Sequence, residues 1–498
     1  MNGSQSISSK NDQNINEPEI LRALYRINPW WTEKAIPSTK IKEFKRRDYY
    51  KLIKHVDEEK ITEVIGARRV GKTTLLYQLI EELLSKTAKE NIMILNLDDL
   101  SLNITSENLE KIFGVYATNI IKKPFDELDD KIYIILDEVQ SLKNWQDILK
   151  KWFDFGYKIK FIVSGSSSID IQEDSSSTLV GRIHQQIVLP MKFLEFVRFK
   201  DSHHIFEEKL KSINKELREA LKQSVQEKNP QIFYSVINNA QKTLIADENK
   251  FLTWLNEYLI KGGYPENVGI DDLTTCGENL RQYLYMTLYK DIIKLSNVRD
   301  PKSLESLFLI IAKNSSDKFN RTNVANTLGI KRNTTLNNYI DLLKKAFLIS
   351  ESTFYSKSAK KQARRETKMY VNDIGIRNVY AGTFNQEILA NPTELGTILE
   401  TIMADHTKRL KFNLESSMFP SMYYWHNGHE VDIVIELFLT PIPFEIKYRE
   451  NVTTSELKGL KKFNDEFNPP LALTITKNQL EIHGNVIFIP AWLYLLMC

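Results

Sequence analysis

The stretch "EVIGARRVGKTTLLYQLIEELL" constrains this chain more than any other feature. Gly66, four residues, then Gly71-Lys72-Thr73 follow a short apolar run and open an amphipathic one, predicting strand, tight loop and helix. That order suits a phosphate, because glycines let backbone N–H groups wrap its oxygens and the helix N-terminus favours negative charge. Lys72 is placed to neutralise the β- and γ-oxygens of ATP, and Thr73 to ligate Mg²⁺. The whole loop, including Arg68, Arg69, Val70 and Thr74, is the expected nucleotide-binding segment.

A second piece lies downstream in "KIYIILDEVQ", an apolar run ending in Asp137-Glu138. In a phosphate-loop protein such an Asp holds Mg²⁺ and the adjacent Glu polarises the attacking water. The next apolar run ends in "VSGSSS", where Ser164 or Ser166 is placed to touch the γ-phosphate or its water, and a polar strand exit reads equally well. The runs "ITEVIG", "NIMILNL", "KIYIILDEV" and "IKFIVSGS" alternate with helical segments, the pattern of a parallel sheet with crossover helices. ATP binding and hydrolysis are the expected chemistry of this half.

A chain of 498 residues is too long for one ordinary core, so several domains are expected. A net charge of +3 confines any nucleic-acid surface to a local patch. Two cysteines, Cys276 and Cys498, supply neither a disulfide framework nor a zinc ligand set, which suits a reducing interior. The tail "VIFIPAWLYLLMC" is too short to span a bilayer and is broken by Pro490. A cytoplasmic protein with no membrane contact is expected. Polar residues 1–20 read as a disordered tail, 21–200 as the ATPase domain, and 201–318 as a solvated Lys/Glu-rich helical insertion followed by a helical, lid-like block.

Residues 319–373 form a small module. "FNRTNVANTLGIKRNTTLNNYIDLLKKAFLISES" reads as helix, turn at Gly329, helix and strand, with Val324, Leu328, Ile330, Leu336, Tyr339 and Leu342 at helical spacing. This is the pattern of a winged helix. Lys331 and Arg332 open the second helix, and the wing carries Lys357, Lys360, Lys361, Arg364, Arg365 and Lys368, a basic cluster that DNA phosphates would attract. Protein contacts are the competing use of such a module.

In the last part, 374–498, "HEVDIVIELFLTPIPFEIKYRE" reads as two strands carrying Asp432, Glu445 and Lys447 among core-forming residues. Period two puts Glu445 and Lys447 on one face, with Asp432 within reach if the strands pair as a hairpin. Two carboxylates suit a hard cation, Mg²⁺ or Mn²⁺, and a lysine can orient water or offset charge on an attacked phosphate. The bland alternative is a set of acids solvated at a strand edge.

With these residues in hand, the chain resembles a group of archaeal and bacterial AAA+-like ATPases that carry a winged helix and a C-terminal PD-(D/E)xK nuclease-like domain. The motifs that carry the resemblance are "NPWW", "GARRVGKTTLL", "IILDEVQ", "IVSGSSS", "LVGR", "PMKFLEF", "YLIKGGYPE" and "KMYVNDIGI". The resemblance implies an α/β multidomain fold: a P-loop sheet, a helical and winged-helix middle, and a restriction-endonuclease-like α/β C-terminal domain. It implies a nucleotide-sensing role for Arg182, against a plain loop salt bridge, and a homo-oligomer, a hexamer being the first expectation. In its nuclease-like part Glu400 on the preceding helix, Asp432, Glu445 and Lys447 take the positions of the catalytic set, most like those of Holliday-junction resolvases. The expected function is a Mg²⁺-dependent ATPase that remodels or processes duplex or branched DNA. The alternatives are an ATP-gated switch acting through protein partners and a nuclease that ATP licenses.

Overall fold

The computed structural model describes residues 16–33, 35–99, 102, 104–165, 179–201, 203–293, 296, 298–415 and 421–498. Its described residues divide into two compact units, one from 1–65, 71–166 and 170–188, the other from 66–70 and 189–498. Ser166 and residues 1–15 of the expected tail lie outside the described residues, and a helix, Glu17–Ile27, begins before residue 20.

The first unit is built on five parallel strands: β1 (Ile61–Ile65), β2 (Ile92–Asn96), β3 (Ile132–Asp137), β4 (Ile159–Gly165) and β5 (Ile183–Ile187), in the order β2-β3-β4-β1-β5. β1 and β3 are buried along their whole length, as inner strands of a parallel sheet must be. The edge strand β2 is covered by the "NPWW" segment. Asn28 imitates a neighbouring strand, its Oδ1 accepting from Ile94 N–H at 2.7 Å while its Nδ2 donates to the Ile94 carbonyl at 3.2 Å. The indole N–H groups of Trp30 and Trp31 both donate to the Ile92 carbonyl, at 3.1 and 2.9 Å. The motif thus satisfies backbone groups that an open edge would leave bare.

The second unit holds a mixed sheet of nine strands. In chain order they are β6 (Lys318–Phe319), β7 (Ile349–Phe354), β8 (Thr367–Val371), β9 (Tyr423–His426), β10 (Glu430–Leu437), β11 (Thr440–Ile446), β12 (Ala472–Thr476), β13 (Glu481–His483) and β14 (Val486–Pro490). In space the order is β13-β14-β12-β11-β10-β9-β7-β8-β6. β10 and β11 form an antiparallel hairpin, with Ile433 opposite Phe444. β7 joins β9 in parallel, Thr353 opposite Tyr423 and Phe354 opposite Tyr424, so strands from 319–373 and from the C-terminal segment share one sheet. The helix Lys458–Phe467 lays Leu460 and Phe463 onto that sheet with Trp425, Val431 and Val434.

The helix pair 321–327 and 333–345 buries Ala325, Leu336, Tyr339, Ile340 and Leu343; Val324, Leu328, Ile330 and Leu342, expected on the buried face, are only half-buried. The Lys/Glu-rich insertion departs further from its expected solvated state. Its helix Glu207–Gln226 buries Leu210, Ile213, Leu217, Leu221 and Val225. From that face Asn214 Nδ2 donates to the carbonyls of Leu496 and Met497 at 2.8 and 2.7 Å, and Arg218 Nε donates to Met497 at 3.0 Å. These donors cap the C-terminal helix Ala491–Met497, whose last carbonyls have no partner within the helix.

Three of the quoted motifs meet at Gly263. Its carbonyl accepts from Met191 N–H at 2.6 Å and its own N–H donates to Asp373 Oδ2 at 2.8 Å. A Cβ there would stand 2.1 Å from the Met191 carbonyl oxygen, so no other residue fits. Among the described residues no helix is long and apolar enough to cross a membrane.

Candidate functional site

In the first unit, β1 leads towards the phosphate loop, and the helix Lys72–Leu84 leaves it. Gly71 caps that helix with a φ of 101°, a left-handed value that glycine adopts without strain. Lys72 and Thr73 follow in its first turn, with Thr74 behind them, and Lys72 is buried. β3 ends in Asp137, whose carboxylate receives two hydroxyls: Thr73 Oγ1 on Oδ2 at 2.8 Å, and Ser164 Oγ of β4 on Oδ1. Burial, then the neighbouring Glu138, raise Asp137 above the ordinary carboxylate range, against the pull of Ser164, Thr73 and Lys72. Glu138 turns the chain with a φ of 58°, and its carboxylate accepts from Gln140 Nε2. The structure therefore gathers Lys72, Thr73, Asp137, Glu138 and Ser164. Ser164 is fully buried against Asp137. Arg182 pairs with Asp154, Nε to Oδ1 at 2.8 Å.

Gly66 to Val70 groups with the second unit. There Arg68 grips the buried Asp291 with a forked pair, Nε to Oδ2 at 2.9 Å and Nη2 to Oδ1 at 2.7 Å. Arg69 is left-handed at φ 63°, and Val70 is buried.

The second cluster sits on the mixed sheet. The β10–β11 hairpin puts Asp432 and Glu445 on adjacent strands, and Asp432 Oδ2 accepts from Ile446 N–H at 2.8 Å. Lys447 Nζ lies 2.7 Å from Glu445 Oε1, while the buried Glu445 Oε2 has no hydrogen-bond partner among the described residues. Burial, then Asp432, push Glu445 up to about 8, opposed by Lys447. Glu400, from the helix Pro392–Glu415, is held by Lys368 Nζ at 2.8 Å and Tyr370 OH at 3.0 Å, and the Asp432 carboxylate also acts on it. Burial lifts it to about 7 despite Lys368. The oxygens of Glu400, Asp432 and Glu445 do not all close to within 4.8 Å, so Asp432 and Glu445 form a pair beside a Glu400 bound by lysine.

Lys368 corrects one reading of the basic wing. It is buried in β8, not displayed in the patch, and bridges Glu400 to Glu430, which Lys318 also holds at 2.8 Å. A cavity of about 360 Å³ opens among Ser316, Asp317, Lys318, Lys368, Glu400 and Glu430. Sequence reasoning passed over Glu430. The signal was there, since period two puts Glu430 on the same face as Asp432. The rest of the patch is exposed. Lys360, Lys361, Arg364 and Arg365 line a groove of about 430 Å³ around the short helix Ala359–Ala363, and Arg365 lies 5.3 Å from the centre of the Phe354 ring. Lys331 and Arg332 are exposed at the start of the helix Asn333–Lys345.

Comparison with known proteins now bears on these two clusters. Residues 58–197 match an AAA domain. Residues 252–387 match a domain of unknown function, DUF8612, and residues 395–494 another, DUF4143. The chain is 26% identical over 382 residues to an uncharacterized protein of Methanocaldococcus jannaschii, covering 76% of this chain and 72% of that one. It is 24% identical over 451 residues to an uncharacterized protein of Haemophilus influenzae, covering 89% and 96%. Among solved structures it is similar to the Walker-type ATPase PABY2304 of Pyrococcus abyssi, at 17% identity, a TM-score of 0.37, and coverage of 68% and 95%. The N-terminal unit has a parallel sheet with a P-loop, and its residues 58–197 are similar to an AAA domain; the C-terminal unit carries a mixed sheet.

Proposed function

We propose that this protein is a Mg²⁺-dependent ATPase that couples nucleotide turnover to the remodelling or processing of DNA. The observation that carries the ATPase reading is the Asp137 carboxylate, which takes the Thr73 and Ser164 hydroxyls at the start of the phosphate-loop helix. A threonine hydroxyl and a carboxylate side by side are hard oxygen donors, a set that fits Mg²⁺. Bound there, Mg²⁺ supplies charge neutralisation to the β- and γ-phosphate oxygens. Lys72 contributes a point charge to the same oxygens, and the backbone from Gly66 to Gly71 cradles them. Glu138 accepts a hydrogen bond from the attacking water and aligns it for displacement of ADP from the γ-phosphorus. Arg182 answers to nucleotide only after leaving Asp154.

The exposed bases Lys331, Arg332, Lys360, Lys361, Arg364 and Arg365 contact DNA phosphates, as the wing of a winged helix does. Asp432 and Glu445 hold a second divalent cation, Mg²⁺ or Mn²⁺; the unpartnered Glu445 Oε2 fits such a group. Lys447 offsets charge on a phosphodiester beside them, and branched DNA is the candidate substrate. That orphan oxygen also favours the reading in which ATP licenses a nuclease. The protein works as an ATP-favoured homo-oligomer, a hexamer, in the cytoplasm.

The test is ATP turnover by the full chain with no DNA, duplex DNA and four-way-junction DNA. Glu138→Gln should retain nucleotide and lose turnover. Parent-rate hydrolysis by that variant, or turnover indifferent to every DNA, sinks the proposal.

A further inference from the structure

The first unit carries a cluster that neither ATP nor DNA uses. His184 is the second residue of β5, opposite Thr62 of β1. Because the strands are parallel, it lies at the end of the sheet away from the phosphate loop, which leaves after Ile65. His55 ends the helix Arg47–His55, and Glu58 sits in the turn that follows. The two imidazoles lie face to face, with centroids 3.6 Å apart and planes 25° apart. His55 Nδ1 is 2.6 Å from Glu58 Oε1. One ligand atom from each of the three lies within 4.8 Å of the other two.

The turn that presents them is fixed from below. Lys160 of β4 is buried, and its ammonium donates to the carbonyls of His55 and Glu58 at 2.9 Å each, and to that of Lys60. Lys160 thus directs its charge at backbone oxygens and holds residues 55–60 against the sheet. Thr62 Oγ1 adds a donor to the His55 carbonyl at 3.5 Å. By contrast, no group hydrogen-bonds the His184 ring among the described residues. Stacking leaves its in-plane nitrogens unspent.

We propose that His55, Glu58 and His184 bind one transition-metal ion, Zn²⁺ first, with solvent completing the coordination. Two imidazole nitrogens, borderline donors, outweigh the one hard carboxylate oxygen, a set that favours Zn²⁺ over the hard Mg²⁺ of the nucleotide site. Glu58 is exposed and both histidines are only partly buried, so an ion has an entry path and room for water. The site cross-links the end of a helix to the edge strand β5, with Lys160 as the preorganising residue beneath it.

The experiment is calorimetric titration of chelator-treated full-length protein with Zn²⁺ in excess Mg²⁺, which fills hard oxygen sites. One Zn²⁺ per chain is expected, lost in His184→Ala and in His55→Ala, both of which retain ATP binding as evidence of folding. Zinc-edge X-ray absorption on the parent protein provides a reading that needs no variant. Scattering from two imidazoles supports the site; sulfur ligation or an all-oxygen shell overturns it. Failure of the parent to bind Zn²⁺, or equal binding by folded His184→Ala, also overturns it.

Discussion

Changing Glu445 to glutamine separates a cation site from an inert pair of acids. Glu445 is 5% exposed, touches Lys447 through Oε1, and leaves Oε2 with no hydrogen-bond partner among the described residues. Burial and Asp432 lift it from the ordinary 4.5 to about 8. The folded chain therefore keeps a proton that the unfolded chain has released, so stability falls as pH rises through that window. Each pH unit inside it costs about 1.4 kcal/mol, which amounts to roughly 2 kcal/mol between about pH 6 and about pH 8 for this one group. Glutamine keeps the shape and removes the titration. Hydrogen exchange of the β10–β11 amides, corrected for intrinsic rate, should show the parent losing protection over this range while Glu445→Gln does not. Mn²⁺ should abolish the parent's loss, because the cation takes the place of the proton. Parallel pH profiles for parent and variant, with Mn²⁺ inert in both, would refute both the linkage and the cation assignment.

Three further outcomes are expected. Alanine at Lys360, Lys361, Arg364 and Arg365 together should flatten the log–log salt dependence of DNA binding by roughly one unit for each phosphate no longer neutralised, measured by fluorescence anisotropy. An unchanged slope moves the DNA path elsewhere. Gly263→Ala drives a methyl to 2.1 Å from the Met191 oxygen and should cost more than about 3 kcal/mol, read as a lower urea midpoint for the second unit. Arg218→Ala strips charged donors from the Met497 and Cys498 oxygens; it should cost roughly 2–4 kcal/mol and speed exchange in the helix Ala491–Met497.

The parallel sheet and the Lys72–Thr73–Asp137 constellation were legible because both are written in short-range pattern. Loop spacing, a helix start and a strand ending in an acid need no knowledge of the rest of the fold. The C-terminal acids were half legible. Period two placed Glu445 beside Lys447, but nothing local says that Lys368, in a run of exposed bases, turns inward and pairs with Glu400. That outcome depends on β8 lying near the helix Pro392–Glu415, a long-range fact. The insertion misled for the same reason. Its Lys/Glu content describes one helix face, while Leu210, Leu217 and Leu221 describe the other. The zinc candidate was invisible because His55 and His184 are brought together by topology alone.

The parallel pairing of β7 with β9 bears on inheritance. Thr353 and Phe354 meet Tyr423 and Tyr424 through the backbone, and Tyr424 OH reaches back to the Glu366 carbonyl at 2.7 Å. A gene fusion or truncation that cuts between residues 373 and 395 would therefore split a sheet rather than release two modules. Each fragment would expose a bare edge ready to recruit a stranger's strand. Lineages that exchange the helices 321–327 and 333–345 would have to carry the acids along with them, so the two should travel as one cassette.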